Sequence, residues 1–118
     1  MQANKDKNLI VELTFDFALN IIKYVEELEK LKKFVIANQL LKSGTSIGAN
    51  VREAQNAESK VDFIHKMKIA AKEADETEYW LLLCKESFEY PDCTELLNAC
   101  TSIMKVLSKI IALSKSNL

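Results

Sequence analysis

Both glycines of this 118-residue chain lie in one stretch, Ser43-Gly44-Thr45-Ser46-Ile47-Gly48-Ala49-Asn50, in which six of the eight residues are small. Inside a helix each glycine costs about 1 kcal/mol relative to alanine, so such a stretch must be stabilised by other contacts. The glycines are four residues apart, on one helix face, where the missing Cβ atoms let another backbone approach closely. The alternative, a phosphate-binding loop, needs a preceding strand and a final Lys-Ser/Thr, and the chain has neither. The stretch therefore predicts close helix packing.

The rest of the chain has no glycine and a single proline, Pro91. Folds that contain β-sheets need turn residues at short intervals, so this scarcity indicates long helices. Apolar residues that recur every three or four positions predict four helices, at about residues 8–29, 34–56, 59–90 and 93 to the C-terminus. Ser59 and Asp92 are the predicted N-caps of the third and fourth helices. One kinked helix through residues 30–33 is the alternative at the first connection.

Short connections join antiparallel neighbours, so the predicted fold is an all-α, up-down-up-down four-helix bundle. The length fits a single domain over residues 1–118. The predicted core stripe ends at Leu31 in the first helix and at Phe88 in the third. Further apolar residues lie outside the stripes of three helices: Leu9, Ile22, Val25, Phe63, Ala70, Trp80, Leu83, Val106 and Leu113.

Apolar surface beyond the arc of about 100° that a bundle helix buries indicates self-association. The alternative is a wide core with a few ordinary exposed hydrophobic residues. A net charge of −1 and a pI near 5.9 argue mildly against a dedicated nucleic-acid binder. The N-terminus has no apolar segment of the signal-peptide type, and no apolar run approaches the ~20 residues of a membrane span. We therefore expect a cytoplasmic protein with no membrane partner.

The sequence offers no recognisable catalytic, metal or cofactor site. A di-iron bundle would need two Glu-x-x-His pairs, whereas His65 is the only histidine and follows Asp62 at that spacing. The three cysteines, Cys84, Cys93 and Cys100, lack CxxC spacing and fall at or near apolar stripe positions, where thiols stay protonated. We expect no enzyme, no cofactor, no small-molecule substrate and reduced, buried thiols.

Charge is segregated along the chain, because residues 30–57 carry five basic residues against one acid, whereas residues 1–29 carry three against six. Repeated around an oligomer, basic stripes could form a surface that binds polyanions such as RNA. The candidate contacts are Lys30, Lys32, Lys33, Lys42, Arg52, Lys68 and Lys72. The alternative is that these are solvated side chains paired with acids four residues away.

Residues 34–54, which include Gln39 and the glycine stretch, resemble the signature of a bacterial family of four-helix bundle proteins. That family includes proteins encoded in intervening sequences of large-subunit ribosomal RNA genes. The resemblance continues through residues 59–63 and 73–81 and covers nearly the whole chain. Many members have Glu-Gly where this chain has Glu53-Ala54.

The resemblance implies a homopentamer. It also implies kinship with accessory proteins of diversity-generating retroelements, which bind reverse transcriptase and nucleic acid through basic surfaces. Those relatives are markedly basic and this chain is not. The family supplies no catalytic residues, and its signature positions, together with the glycines, are expected to make packing or oligomer contacts. They are Gln39, Ser43, Gly44, Ser46, Gly48, Asn50, Glu53, Glu76 and Trp80. We expect a non-catalytic, pentameric scaffold whose partner is RNA, another nucleic acid or a nucleic-acid-handling protein. The alternative is a protein-binding adaptor without nucleic-acid affinity.

Overall fold

Four helices form the described chain: α1 (Gln2–Lys30), α2 (Phe34–Ala54), α3 (Lys60–Glu86) and α4 (Thr94–Ser116). The computed structural model describes the backbone of residues 2–117 and the side chains of residues 9–117. Helices that follow one another in sequence are in contact, and α1 also contacts α4. The helices therefore lie in cyclic order, with no contact across either diagonal of the described bundle. The predicted all-α four-helix fold is confirmed.

Side-chain contacts establish that neighbouring helices run antiparallel. Between α2 and α3, Ser43 meets Thr77, and Glu53, further along α2, meets Lys66, earlier in α3. Between α3 and α4, the Cys100 thiol contacts the Ala74 carbonyl and the Cys93 thiol contacts the Leu81 carbonyl. In each pair, the residue numbers of one helix rise along the contact while those of the other helix fall. Each pair of helices is therefore antiparallel, as the short connections predicted.

The two glycines lie where α2 approaches α1. A Cβ atom on Gly44 would come within 2.9 Å of two carbon atoms of Ile21, and one on Gly48 would come within 3.2 Å of the Thr14 backbone oxygen. Ile21 is completely buried, so it cannot move away without disturbing the core. The small-residue stretch therefore supports a close contact within the chain.

The connection between α1 and α2 is a Schellman turn without glycine. The Lys33 amide donates to the Leu28 carbonyl (2.8 Å), and the Lys32 amide donates to the Glu29 carbonyl (2.9 Å). Lys32 has a φ of 62°, the left-handed conformation that this turn requires and that glycine usually supplies. Helices 1 and 2 are therefore separate, and the single kinked helix is excluded. Leu31, predicted in the stripe of the first helix, follows its end and is exposed.

The end of α3 and the start of α4 differ from the prediction. The helix ends at Glu86, where Ser87 adopts an extended conformation, so Phe88 lies outside it and is 87% exposed. The N-cap of α4 is Cys93 and not Asp92, whose carboxylate instead accepts a hydrogen bond from the Thr94 hydroxyl (2.7 Å). The buried Cys93 thiol fixes this register. The Ser59 cap is confirmed, because its hydroxyl accepts from the Asp62 amide (3.0 Å).

The core is wider than the predicted stripes. Phe63 and Ala70, placed outside the stripe of the third helix, are buried because α3 packs against both α2 and α4. Val25 is buried for the same reason, since α1 packs against α2 and α4. One helix of the described chain, α4, is long and apolar enough by composition to cross a membrane, with a mean hydropathy of 1.5. Its most apolar residues, including Ile103, Leu107 and Ile110, face the core of the bundle.

We expect Gly44→Ala to destabilise the fold, although alanine is the better helix former. The new methyl group overlaps Ile21, and overpacking a tight core contact costs roughly 1–3 kcal/mol. Chemical denaturation would measure the loss, with Ser108→Ala, at an exposed position of α4, as the control. In Gly44→Ala/Ile21→Ala the cavity left by Ile21 accepts the methyl group, so the double variant should lose less than the sum of the single losses. If the loss in free energy of unfolding of the double variant equals the sum of the two single losses, the contact between Gly44 and Ile21 is contradicted.

Candidate functional site

A buried pair of hydroxyl groups joins α2 to α3 at the centre of the signature stretch. The Ser43 and Thr77 side chains are fully buried, and their oxygens are 2.9 Å apart. The Thr77 hydroxyl also lies 2.7 Å from the Glu73 carbonyl, which leaves neither hydroxyl without a partner. Buried polar groups are stable only when paired in this way, so the contact fixes the register of the two helices.

The other polar signature residues of α2 lie along the same boundary with α3. The Asn50 amide donates to the Ser46 carbonyl (2.8 Å), and the Ser46 hydroxyl donates to the Lys42 carbonyl (2.6 Å). Glu53 contacts α3 directly, because its carboxylate lies 3.2 Å from the Lys66 ammonium. Gln39 is half-buried at the other end of this row. These side chains form a polar row along one side of the bundle.

On α3 this side carries two aromatic residues. The Trp80 indole N–H donates to the Glu76 carboxylate (3.2 Å), and the Tyr79 and Trp80 rings meet edge to face at 5.3 Å. Trp80 is half-buried, whereas Tyr79 and the nearby Leu83 are exposed. We call Glu76, Tyr79, Trp80 and Leu83 the Trp80 face. Its ring positions are fixed by contacts within the chain.

The two signature glycines belong to a different side of the bundle, between α1 and α2. A groove of about 160 Å³ opens there, bounded by Phe15 on α1 and by Arg52 at the end of α2. Its lining is mainly small or apolar: Val11, Thr14, Ala18, Thr45, Gly48 and Ala49. We call this the Gly48 groove. The missing side chain of Gly48 leaves its floor open.

An exposed apolar surface continues from the groove along α1 and α2. Phe15 is 58% exposed, and Leu19, Ile22 and Leu41 are exposed beside it. Sequence reasoning placed Ile22 on this surface but missed Phe15 and Leu19. Their spacing of four and three residues, out of phase with the buried Phe17 and Ile21, is the signal that would have identified them.

The predicted polyanion contacts do not converge on one patch. Lys30, Lys32 and Lys33 lie at the turn between α1 and α2, where the Lys33 ammonium is 4.9 Å from the centre of the Tyr90 ring. Arg52 and Lys68 lie toward the opposite end of a molecule that is 47 Å long. The remaining two, Lys42 and Lys72, are exposed on α2 and α3.

These cations are not paired with acids four residues away. Within residues 9–117, no carboxylate lies within 4.0 Å of the amino group of Lys30, Lys42, Lys68 or Lys72, or of the guanidinium of Arg52. Lys68 instead lies beside Lys115, a residue that sequence reasoning missed, and this contact lowers the pKa of Lys68. Two neighbouring ammonium groups with no carboxylate within 4.0 Å among residues 9–117 leave a locally positive surface at this end.

The three cysteines are free and buried, and burial raises the pKa of each thiol, to about 11 for Cys84 and about 12 for Cys100. Tyr24 lies against Cys84 and Cys93 and donates to the Pro91 carbonyl (2.8 Å). Thiols in this state are poor nucleophiles. No group of three His, Cys, Asp or Glu side chains in the described part of the chain could hold a metal ion.

The fold and these surfaces can be compared with known proteins. Residues 6–109 match the family described as 23S rRNA-intervening sequence protein. The chain belongs to this family. A crystal structure of a protein of unknown function from the S23 ribosomal protein family of Bacteroides thetaiotaomicron is similar, with 42% identity and a TM-score of 0.86. The alignment covers 91% of this chain and 98% of that one. A search of curated proteins finds no match.

Membership confirms the resemblance stated from residues 34–54 and 73–81. The family signature in this chain divides between two sides of the bundle, with Gly44 and Gly48 against α1 and the polar residues along α3. Ser43, Gly44, Gly48 and Glu53 make contacts between helices. Gln39, Ser46, Asn50, Glu76 and Trp80 retain exposed surface, so a contact between subunits at these residues stays a prediction.

The buried thiols of this chain should resist Ellman's reagent. At pH 8 a thiol with a pKa of about 11 is ionised about a hundredfold less than one with a pKa of 9.0. We expect native thiols to react at least a hundredfold more slowly than the same thiols in guanidinium. Ser87→Cys, at an exposed position, supplies a fast-reacting control on the same chain. Rapid native modification of three thiols per chain would contradict their burial.

Proposed function

We propose that this protein is a non-catalytic scaffold that assembles from copies of itself into a pentamer and binds RNA through the assembled surface. The observation that carries this proposal is the set of exposed apolar side chains Phe15, Leu19 and Ile22, spaced along one face of α1, with Leu41 exposed on α2. Soluble proteins seldom leave such a surface open to water, and a second copy is the simplest cover. Family membership supports the pentamer through the resemblance described above.

The basic residues support the RNA part of the proposal. Lys68 and Lys115 are adjacent, and no carboxylate among residues 9–117 neutralises Lys68. Assembly around one axis would repeat this pair once per subunit. Phosphate groups spaced along an RNA could then contact several pairs at once, which raises the affinity above that of one chain.

The alternative is an adaptor that binds another protein and has no affinity for RNA. A net charge of −1 and the wide separation of the basic residues favour it. Both forms of the proposal place the protein in the cytoplasm. Free thiols are kept reduced there, and Cys84, Cys93 and Cys100 are free. Both forms of the proposal are non-catalytic, and the burial of the three thiols supports this part of the proposal.

The first test is the mass in solution, measured by light scattering on a size-exclusion column over a tenfold concentration range. The chain has a mass of 13.4 kDa, and we expect about five times that value. A stable assembly keeps this mass on dilution because its interfaces are apolar and large. A mass of 13.4 kDa throughout the range would contradict self-assembly.

The second test is a filter-binding titration against structured RNA at several salt concentrations. We expect affinity to fall steeply with salt, because bound phosphates release counter-ions. Lys68→Gln/Lys115→Gln should lower affinity at least tenfold and flatten the salt dependence. Lys23→Gln is the matched control, because Lys23 borders a cavity shared with Glu27, Asp92 and Glu95.

The outcomes separate the two forms of the proposal. RNA binding that survives Lys68→Gln/Lys115→Gln but is lost in Lys23→Gln would move the contact to another surface. No binding at low salt by a pentameric protein would favour the adaptor. In both cases the mass measurement still decides self-assembly independently.

A further inference from the structure

We propose that one side of the bundle, formed by α3 and α4, carries an extended surface that binds the phosphate backbone of RNA. This inference rests on the proposed RNA binding and assigns the surface that would make the contact. We call this surface the lysine strip. It consists of Lys60, Lys68, Lys72, Lys105 and Lys115, so it extends the pair of Lys68 and Lys115 along both helices.

The charge of α3 changes sign near its middle. Residues 60–72 carry four lysines against one acid, Asp62, whereas residues 73–86 carry five acids against one lysine. The Asp62 carboxylate accepts a hydrogen bond from the Glu58 amide (3.3 Å), which holds it at the start of the helix. In α4, Glu95 is the only acid of residues 94–116, and three lysines follow it. The first half of α3 and the second half of α4 are therefore both basic.

The antiparallel register brings these two basic halves together at one end of the bundle. The Cys100 thiol of α4 contacts the Ala74 carbonyl of α3. The Lys60 ammonium donates to the Asn117 carbonyl (3.4 Å), so the start of α3 lies beside the end of α4. Positive charge that is divided between two distant parts of the sequence is thus collected on one surface.

Helical spacing places the lysines on the side that the two helices share. Lys68 contacts Lys115 across the two helices, and Lys72 follows Lys68 by one turn, so it lies on the same face of α3. In α4 the residues at positions 105, 108, 112 and 115 recur at intervals of three and four, and all four are exposed. In the register set by the contact of α4 with Ala74, Lys105 lies between the levels of Lys68 and Lys72.

The lysines of the strip are not paired with acids in the described part of the chain. Within residues 9–117, no carboxylate lies within 4.0 Å of any of the five amino groups. The contact with Lys115 lowers the pKa of Lys68, because two adjacent ammonium groups repel each other. An anion bound beside this pair would relieve the repulsion, which favours binding of a phosphate there.

The strip ends where acids replace lysines on the same face of α3. Asp75 follows Lys72 by three residues and is exposed, and Glu78 comes three residues later. Burial, and then the charges of Glu78 and Asp75, raise the pKa of the Cys100 thiol, so both carboxylates lie on the α4 side of α3. The positive surface from Lys60 to Lys72 is about 18 Å long, at a rise of 1.5 Å per residue.

The shape and composition of the strip fit a phosphate backbone. Its ammonium groups are distributed along the bundle and do not converge on one point, so a ligand that contacts all of them is an extended polyanion. The exposed residues between the two lysines of α4 include the small Ser108 and Ala112, which let a backbone approach closely. Segments 69–71 and 106–114 contain no arginine, asparagine, glutamine or aromatic residue that could read a base. We therefore expect phosphate contacts without preference for base sequence.

The first test measures affinity for RNA hairpins by filter binding at several salt concentrations. Lys72→Gln/Lys105→Gln removes two charges from the strip and leaves Lys68 and Lys115 in place. Lys30→Gln/Lys42→Gln, at exposed positions of α1 and α2, is the matched control with the same loss of charge. We expect the strip variant to lose about tenfold in affinity and to flatten the slope of log affinity against log salt by about two. The control should keep both values.

The second test extends the strip and measures a gain of binding. Asp75→Lys continues the strip by one turn, and Glu26→Lys makes the same change of charge at an exposed position near the other end of the bundle. We expect Asp75→Lys to raise affinity about threefold to tenfold and to steepen the salt slope by about one. Glu26→Lys should stay near the wild-type values. Circular dichroism checks that each variant is folded, and a gain of affinity by Asp75→Lys cannot result from unfolding.

Other outcomes overturn the inference. If the wild type binds RNA and the strip variants bind like their controls, the RNA contact lies elsewhere while the proposed RNA binding stands. If two hairpins of equal length and unrelated sequence differ widely in affinity, the contact includes bases. If the wild type binds no RNA at low salt, the RNA part of the proposed function and this inference fail together.

A membrane surface is the other polyanion that this experiment distinguishes. Vesicles made of equal parts of phosphatidylserine and phosphatidylcholine present anionic headgroups to the same lysines. We expect these vesicles to bind the wild type more weakly than the RNA hairpins do. Tighter binding to the vesicles, lost in Lys72→Gln/Lys105→Gln, would assign the strip to a membrane and overturn the inference.

Discussion

The close approach of α1 and α2 at Gly44 and Gly48 is the constraint on which the rest of the structure depends. Without Cβ atoms there, the α2 backbone lies against Ile21 and the Thr14 carbonyl. That position brings Ser43 to Thr77 and so fixes the register of α3. The same contact leaves the open floor of the Gly48 groove. One packing requirement thus determines both the core and the shape of the exposed surface.

The elements that sequence reasoning predicted best are those with a strong local signal. The four helices follow from apolar spacing and the scarcity of glycine and proline, and Ser59 is an N-cap because its hydroxyl satisfies an amide that the helix cannot. The glycine spacing predicted a tight helix contact without identifying its partner. Such contacts join residues that are far apart in sequence. Periodicity alone therefore does not predict that Gly44 packs against Ile21 of α1 rather than against another helix.

The features that sequence reasoning did not predict occur where tertiary contacts override local preferences. Lys32 adopts a left-handed conformation that its residue type disfavours, because two backbone hydrogen bonds require it. Cys93 replaces Asp92 as the cap because its thiol is buried against Leu81. The candidate site shows the same limit. Sequence grouped Lys30 with Lys68 by charge, and the fold places them toward opposite ends of the bundle.

Total charge is a poor guide to whether such a chain could bind a polyanion. Exposed charges act over about 10 Å at 0.1 M salt, far less than the 47 Å length of the bundle. The acids that bring the total to −1 include Glu26, Glu27 and Glu29 at the end of α1 opposite to Lys68 and Lys115. An RNA at the Lys68 end would experience mainly the local potential there. Because assembly sets how many such ends lie together, the arrangement of subunits matters more for RNA affinity than the composition of one chain.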